Sequence, residues 1–134
     1  MQLKKKKSES FLQFRDRVWK TYYHGWRNKP VYCPALKKKV WFTDEGWEHV
    51  VGIGKSRPRV EIYKRIKLLR YTRSIISRSK TIQSVKILRG DIYYGFISVE
   101  ELRKFLLGGR KIKRVKIVIK QKKTGKPIFY SIME

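Results

Sequence analysis

Residues 40–51 have the sequence VWFTDEGWEHVV, and this stretch decides the fold predicted for the chain. Its first three residues are β-branched or aromatic and predict a short buried strand. Thr43 is a favourable N-cap for a helix, and Asp44 and Glu45 put acidic groups in the first helical turn, where the helix dipole favours them. The stretch therefore predicts a strand that leads directly into a helix.

The helix predicted in this stretch has one apolar face, because four residues are spaced at i, i+3, i+4 and i+7: Trp47, Val50, Val51 and Gly54. His49 lies two residues from Trp47, about 200° around the helix, and so points away from that face. Glu45 precedes His49 by four residues, so its carboxylate can reach the imidazole. A histidine oriented by a carboxylate is the first candidate for chemistry in this chain.

The composition limits the partners of the chain. Its 134 residues are enough for one domain, or for one domain with an arm. The 35 Lys and Arg residues outnumber the 10 Asp and Glu residues, and the formal net charge is +25. Such an excess of one sign repels itself and predicts a polyanionic partner. Nucleic acid is favoured over a membrane, because no segment approaches about 18 uninterrupted apolar residues.

Targeting and metal signals are weak in this sequence. Residues 1–7 are basic, but Ser8-Glu9-Ser10 follows them in place of an apolar stretch, which argues against a secretory signal and predicts a cytoplasmic protein. Cys33 is the single cysteine, which excludes an internal disulfide, and two histidines do not favour a zinc site. The carboxylates lack the strand-end pairing that two-metal nucleases need. No metal and no cofactor are therefore predicted.

The N-terminal part of the chain predicts a basic tail, a helix and a connector. Residues 1–7 are expected to be disordered until they meet phosphate. Residues 10–26 carry two neighbouring apolar stripes, which favour a helix packed on the domain over a platform for stacked bases. The prolines within residues 28–34 indicate an extended connector. The predicted division is an arm at 1–37 and a domain at 38–134.

A second long helix is predicted after a turn at residues 52–58. Apolar residues recur at helical spacing from Arg59 to about Arg78, and Pro58 suits the first turn. The remaining surface of this helix is strongly basic, which is typical of a solvated face with a general attraction for phosphate.

The last third of the chain predicts antiparallel strands. Residues 81–88 fit a short strand or a loop, and residues 100–107 fit a short helix or a hairpin insertion that ends at Gly108-Gly109. Three further segments have the composition or alternation of strands, namely 92–99, 113–121 and 128–133. The predicted fold class is α+β, with the N-terminal helices packed on one face of a small, mainly antiparallel four-stranded sheet.

The final hairpin allows a prediction of register. A turn centred on Thr124-Gly125 predicts four cross-strand pairs, namely Ile119 with Tyr130, Ile117 with Ile132, Lys120 with Phe129, and Val118 with Ser131. One face of the hairpin is then apolar and packs on helices, while the other carries lysines, an aromatic ring and a hydroxyl. A bulge of one residue would exchange these assignments.

Five segments carry a family likeness through their order along the chain. They are Trp41-Phe42-Thr43, Gly46-Trp47-Glu48-His49, Arg65-Ile66-Lys67-Leu68-Leu69, Val115 to Gln121, and Phe129-Tyr130-Ser131. This order resembles the barnase, EndoU, colicin and RelE-like ribonuclease superfamily, in particular its phage- and mobile-element-associated, toxin-like members. The resemblance covers about residues 38–134, and the segment at 100–109 has no counterpart in the family pattern.

The resemblance implies metal-independent cleavage of transfer, messenger or ribosomal RNA by a toxin-like protein. It also implies an antitoxin or immunity protein that neutralises the toxin. The two apolar stripes of the helix at 10–26 make that helix the expected attachment site for such a partner, or for a second copy of the chain.

Cleavage of RNA without a metal uses the ribose 2′-hydroxyl as nucleophile, and it needs a general base, a general acid and cations for the growing phosphoryl charge. The predicted catalytic residues are His49 as acid or base, Lys120 as the stabilising cation, and Ser131 as a hydrogen-bond donor. Tyr130 is less suited, because the predicted register buries it. The predicted nucleic-acid-binding residues are Arg57, Arg59, Arg65 and Lys116.

Two other functions fit the same composition. The first is a non-catalytic RNA- or DNA-binding protein, associated with the ribosome or a mobile element. The second is a protein that docks on an acidic protein through its basic face. Replacement of His49 separates a nuclease from the first, since the nuclease would lose cleavage and keep its affinity for RNA, while a pure binder would change little. The second would bind RNA with weak selectivity and little dependence on nucleic acid structure.

Overall fold

The computed structural model describes residues 3–52, 57–103 and 110–134, with the backbone alone at 100–103 and 110–113. The chain has an α+β fold, as predicted, with helices and two antiparallel sheets of two and four strands. The predicted positions of Gly54, Gly108 and Gly109 lie outside the described residues. None of the helices in the described part of the chain combines the length and the apolar character needed to cross a bilayer.

The N-terminal helix predicted from Ser10 to Trp26 is confirmed, with one irregularity. Helix α1 (Phe11–Val18) continues through a π-helical turn (Trp19–Tyr23) into the short helix α2 (His24–Trp26). The Ser10 side chain accepts a hydrogen bond from the Gln13 N–H, and the Gln13 side chain accepts one from the Ser10 N–H. This reciprocal capping satisfies donors at the helix start.

The segment before α1 is ordered, so the prediction of a disordered tail is wrong for residues 3–7. Leu3 is 5% exposed, and the Lys5 N–H donates to the Tyr63 hydroxyl at 3.2 Å. Arg17 donates to Glu9 at 2.8 Å. The hydrogen bonds from Arg17 and from a backbone N–H lower the pKa of Glu9 to about 2. These contacts bind the segment to α1 and to the helix that contains Tyr63, which the lysine count of the sequence does not indicate.

The predicted connector contains a strand. Strand β1 (Val31–Cys33) pairs in antiparallel fashion with β2 (Lys38–Val40). Trp41 follows β2 and forms a parallel bridge with Ile128, through hydrogen bonds to the backbone of Pro127 and Phe129. The predicted strand at Val40–Phe42 therefore begins two residues earlier.

The two central helices are confirmed. Helix α3 (Asp44–Val51) begins after Thr43 and ends at Gly52, whose φ of 74° favours glycine. The Thr43 side chain forms no capping hydrogen bond within the described part of the chain. Helix α4 (Arg59–Arg78) follows Pro58, which occupies the N-cap position and not the first turn.

Four antiparallel strands form the main sheet in the order β3-β4-β5-β6. They are β3 (Ser84–Leu88), β4 (Asp91–Arg103), β5 (Arg110–Gln121) and β6 (Pro127–Met133). The segment at 81–88 is thus partly a strand. Residues 100–103 continue β4, so the helix predicted as one alternative for 100–107 is wrong over these four residues.

One face of the main sheet is covered by the helices. The β5 residues Val115, Ile117 and Ile119 are fully buried on this face, as their alternation predicts. They share one hydrophobic core with Phe14 and Val18 from the N-terminal helix. The predicted boundary between residues 37 and 38 stays a prediction, but side chains from both parts of the chain contribute to this core.

A β-bulge changes the register predicted for the β5–β6 hairpin. Ile119 pairs with Phe129 and not with Tyr130, while Val118 pairs with Ser131 and Ile117 with Ile132, as predicted. The register shifts between Val118 and Ile119, so Tyr130 is the extra residue. Phe129 is fully buried and Tyr130 is half-buried, which reverses their predicted environments.

Strands β4 and β5 extend beyond both of their neighbours. Strand β3 pairs with β4 from Asp91 to Gly95, and β6 pairs with β5 from Lys116 to Gln121. Beyond these positions, within the described residues, β4 and β5 pair with each other in a two-stranded ribbon that reaches Arg103 and Arg110.

Candidate functional site

The imidazole of His49 lies against the ring of Tyr130. The two ring centroids are 4.1 Å apart and the ring planes differ by 33°. His49 is half-buried on α3, and its Nδ1 atom is shielded from solvent. Tyr130 is the residue that the bulge adds to β6. The structure therefore stacks the predicted catalytic histidine on a tyrosine that the predicted register had buried.

Gly46 allows α3 to approach β6 closely enough for this contact. A Cβ atom on Gly46 would lie 2.3 Å from the Phe129 carbonyl oxygen and 2.7 Å from the Tyr23 hydroxyl. Neither distance is sterically allowed, so a larger residue would displace the helix. The Tyr23 hydroxyl also donates to the Thr43 carbonyl oxygen at 2.7 Å, which fixes the start of α3. These contacts position His49.

Tyr130 is also in contact with Tyr93 and Lys120. The Tyr93 and Tyr130 ring centroids are 5.4 Å apart at an angle of 71°. The Lys120 ammonium lies 5.2 Å from the centroid of Tyr130 and 5.7 Å from that of Tyr93. Burial, assisted by the neighbouring Tyr93, raises the pKa of Tyr130. Its phenol is therefore protonated at neutral pH and can donate a hydrogen bond.

Glu45 holds Lys120 and does not act as predicted. One of its carboxylate oxygens accepts from Lys120, and the other lies 3.0 Å from Lys122. Burial disfavours both charged forms, but these hydrogen bonds outweigh it, so the pKa of Glu45 is lowered and that of Lys120 is raised. In the structure, the Glu45 carboxylate therefore contacts Lys120 and Lys122, in place of the predicted role of orienting His49. The carboxylate of Asp91 lies 3.9 Å from the Lys120 ammonium.

Two of the predicted arginines reach the same region, one from α4 and one from the segment before it. Arg57 donates to the carbonyl oxygens of His49 and Val50, so it caps the C-terminal turn of α3. Burial, and then the charge of Arg65, lower the pKa of the Arg57 guanidinium. Arg65 donates to Ser131 and to Glu61, each at 3.0 Å.

Ser131 is not on an open sheet surface as predicted. It is 1% exposed, and its hydroxyl oxygen accepts the hydrogen bond from Arg65. The predicted direct contact between Ser131 and a phosphate does not fit this burial. The serine instead positions Arg65, whose guanidinium remains in part accessible.

The other two predicted residues lie in different places. Lys116 lines a cavity of about 280 Å³ on the face of the sheet opposite the helices, next to Tyr130. Arg59 does not join this region, because its guanidinium lies 5.6 Å from the Phe11 ring centroid on the N-terminal helix. We use the name His49 cluster for the residues that the structure brings together: His49, Arg57, Arg65, Lys120, Tyr130 and Ser131.

Two tyrosines at this site were missed by sequence reasoning. The register predicted for a regular hairpin buries Tyr130, and Tyr93 lies within the segment 92–99, for which the sequence predicts only a strand. The signal for Tyr93 is its parity in the strand. Tyr93 lies three residues from the buried Phe96, so it is on the opposite face of β4, where it pairs directly with Lys120. The position of Tyr130 depends on the bulge, for which the sequence gives no local signal.

The His49 cluster has the groups that phosphate chemistry requires. It combines an imidazole, a protonated phenol and three cations beside carboxylates that partly balance them. No group of three or more His, Cys, Asp and Glu side chains is placed to hold a metal ion in the part of the chain that the structure describes.

Comparisons with known proteins do not extend this description. The chain matches no family model, no curated protein and no solved structure.

Proposed function

We propose that this chain is a metal-independent endoribonuclease of toxin-like type, acting on RNA in the cytoplasm. The observation that supports the proposal is the stacking of His49 on Tyr130 at 4.1 Å, with the Lys120 ammonium 5.2 Å from the same tyrosine ring. An acid–base group and a cation thus lie beside one phenol, which supplies the hydroxyl donor. A net charge of +25 draws a polyanionic substrate to it.

The proposed reaction needs no metal. The ribose 2′-oxygen attacks the adjacent phosphorus, a base removes the 2′-hydroxyl proton, and the bond from phosphorus to the 5′-oxygen breaks. A proton goes to the departing 5′-oxygen. The products are a 2′,3′-cyclic phosphate on one fragment and a 5′-hydroxyl on the other.

Each residue of the His49 cluster has a defined part in this reaction. His49 acts as the general base that takes the 2′-hydroxyl proton or as the general acid that protonates the 5′-oxygen, because an imidazole ordinarily titrates near neutral pH, and water exchanges the other proton. Tyr130 donates a hydrogen bond to a phosphoryl oxygen, and Lys120 and Arg57 stabilise the negative charge that develops there. Arg65 adds a cation at the edge of the site, with its position set by Ser131.

The experiment compares the two histidines of the chain. His49→Ala is expected to lower the cleavage rate by about 10²–10⁴-fold, the usual contribution of a general acid or base. His24→Ala is the matched control, because His24 is exposed and packs near Trp19 outside the cluster. Cleavage of end-labelled RNA is measured in EDTA, and the product ends are tested for the cyclic phosphate. Equal cleavage rates for His49→Ala and His24→Ala would contradict the proposal.

A second function, non-catalytic binding of RNA or DNA, is favoured by one observation. The Lys120 ammonium already contacts Glu45 and lies near Asp91, and Arg57 caps α3, so both cations have structural partners. A pure binder would show no cleavage, and His49→Ala would leave its affinity unchanged. Both functions predict strong weakening of binding by salt, by about 0.7 in logarithmic slope for each contact with a single-stranded phosphate.

A further inference from the structure

A cavity of about 280 Å³ opens beside the His49 cluster on the face of the main sheet that the helices leave uncovered. Its walls are the rings of Tyr93 and Tyr130, and its floor includes Gly95 and Val118. Lys116 on one side and Ser84, Lys86 and Leu88 of the edge strand β3 on the other complete the lining. No residue of the reaction described above, apart from Tyr130, belongs to this cavity.

We propose that this cavity binds one unstacked nucleobase of a single-stranded RNA, next to the phosphate held at the His49 cluster. The inference rests on the proposed function for the identity of the polymer. It adds a base subsite to the site for the phosphate.

The shape of the cavity suits a flat aromatic ligand. The two tyrosine rings meet at 71° with centroids 5.4 Å apart, so they form a corner in which a base can stack on one ring and meet the edge of the other. Gly95 has no side chain, and the Ser84 side chain occupies the space beside it at the cavity floor. A Cβ atom there would lie 2.1 Å from the Ser84 hydroxyl oxygen.

The polar groups of the lining are arranged around this apolar corner. Lys86 and Lys116 carry ammonium groups that donate hydrogen bonds and cannot accept them. They can contact the phosphates on either side of a base, or the oxygen and nitrogen acceptors on its edge. An aromatic corner flanked by cations is the combination that single-strand-binding proteins use for bases.

A base in a duplex cannot enter this cavity, because it is stacked on both sides and paired at its edge. The proposal therefore requires a single-stranded segment at the site. The Tyr130 ring lines this cavity and also contacts the His49 imidazole, so the base and the phosphate of one nucleotide can span the two subsites.

The test measures binding with a ligand that cannot be cleaved. A fluorescently labelled decamer of 2′-O-methyluridine is compared with an abasic decamer that has the same number of phosphates. The protein is expected to bind the uridine decamer at least about tenfold more tightly, since stacking of a single base on an aromatic residue has an effect of this size. Equal binding of the two decamers would show that phosphate contacts are sufficient and would overturn the proposal.

A matched pair of variants locates the effect. Ser84→Leu fills the cavity from the exposed strand β3. In this variant the affinity for the uridine decamer, divided by the affinity for the abasic decamer, is expected to fall to nearly one. Val85→Leu places the same leucine side chain at the neighbouring residue, which is exposed and lies outside the cavity, so the ratio should stay unchanged. An unchanged ratio in Ser84→Leu would place the base elsewhere.

A second pair of variants serves if Ser84→Leu does not fold. Tyr93→Ala removes one wall of the cavity and should abolish the preference for the uridine decamer, whereas Tyr93→Phe keeps the ring and should retain it. Because the ligand lacks a free 2′-hydroxyl, these results do not depend on catalysis. If the natural chain cleaves RNA but shows no preference for the uridine decamer, this inference fails and the proposed function stands. If it prefers the uridine decamer but does not cleave RNA, the proposed function fails and the base subsite stands.

Discussion

Strands β6 and β3 are the two edges of the same sheet, and their side chains lie in opposite environments. Along β6, residues 127–129 and 131–132 are buried, and Trp41 pairs with its outer edge. All five residues of β3 are exposed, among them Ile87, which is 69% exposed. One edge is therefore covered by other parts of the chain, while within the described residues the other edge has β4 as its sole neighbour.

This difference shows how the candidate site is held. At the covered edge, α3 packs directly on β6, so the two rings of His49 and Tyr130 come from elements in close contact. At the open edge, β3 adds Ser84 and Lys86 to the lining of a cavity without support from a further layer. The groups of the proposed reaction thus lie at the covered edge, and the proposed base subsite reaches the open edge of the same sheet.

The largest effect that separates the two edges is expected for a pair of truncations. Phe129→Ala should lower the free energy of unfolding by about 3–5 kcal/mol, because the ring is fully buried and packs on Phe42 at 5.6 Å. Ile87→Ala on β3 should change it by less than about 0.5 kcal/mol, since the side chain is already in water. Urea unfolding measures both, and similar losses at the two positions would contradict the comparison.

A smaller effect is expected where α3 meets β6. Gly46→Ala should destabilise the protein by about 1–3 kcal/mol, because the new methyl group overlaps the Phe129 carbonyl oxygen and pushes the helix away. The same shift should separate His49 from Tyr130 and lower the rate of RNA cleavage. Thermal unfolding and the cleavage assay together measure these consequences.

Gly25→Ala is the control for this substitution. A Cβ atom on Gly25 has nothing within 4 Å, and the residue lies in helix α2, so alanine should be neutral or stabilise by up to about 1 kcal/mol. Full stability and activity in Gly46→Ala would show that α3 does not depend on close contact with β6.

The smallest effect concerns the charges beside the covered edge, in Glu45→Gln. The pKa of Glu45 is lowered in the folded state, so the ionised carboxylate stabilises the fold above its ordinary value of 4.5, and this contribution is lost as the pH falls through the lowered value. The variant should be less stable than the natural chain by about 1 kcal/mol or less at pH 7. The difference should shrink towards pH 3.

Urea unfolding at a series of pH values measures this difference. Glu48→Gln is the control, because Glu48 is exposed on the same helix and pairs with no lysine in the described structure. If both variants show the same dependence on pH, the ion pairs of Glu45 with Lys120 and Lys122 do not stabilise the fold.

Much of the fold follows from local patterns in the sequence. The helix at Asp44–Val51 has a start signal, an acidic first turn and an apolar face, and these act within a few residues. The alternation of Val115, Ile117 and Ile119 likewise gives the buried face of β5, because side-chain direction in a strand depends on parity alone. Such features need no knowledge of the rest of the chain.

The site was harder to predict, because its residues meet through long-range contacts. His49 was identified from its place on α3, but its neighbour Tyr130 depends on the bulge in β6, which shifts parity by one residue. Ser131 was expected on the surface, and its burial depends on Arg65 from a helix 66 residues earlier. Glu45 was paired with the histidine by helical spacing, although a lysine 75 residues away binds it in the structure.

The ribbon formed by β4 and β5 beyond the main sheet has a consequence for how the molecule opens. Its cross-strand hydrogen bonds have no third strand beside them in the described residues, and an isolated pair of strands is marginally stable in water. Amide protons along β5 should therefore exchange with deuterium quickly near Arg110 and slowly near Ile117, where β4 and β6 flank the strand and the side chain is buried. Within one strand, the amides near Arg110 should thus exchange through local fraying and those near Ile117 through global unfolding. The position along β5 at which the rate changes marks the end of the part of the protein that unfolds cooperatively.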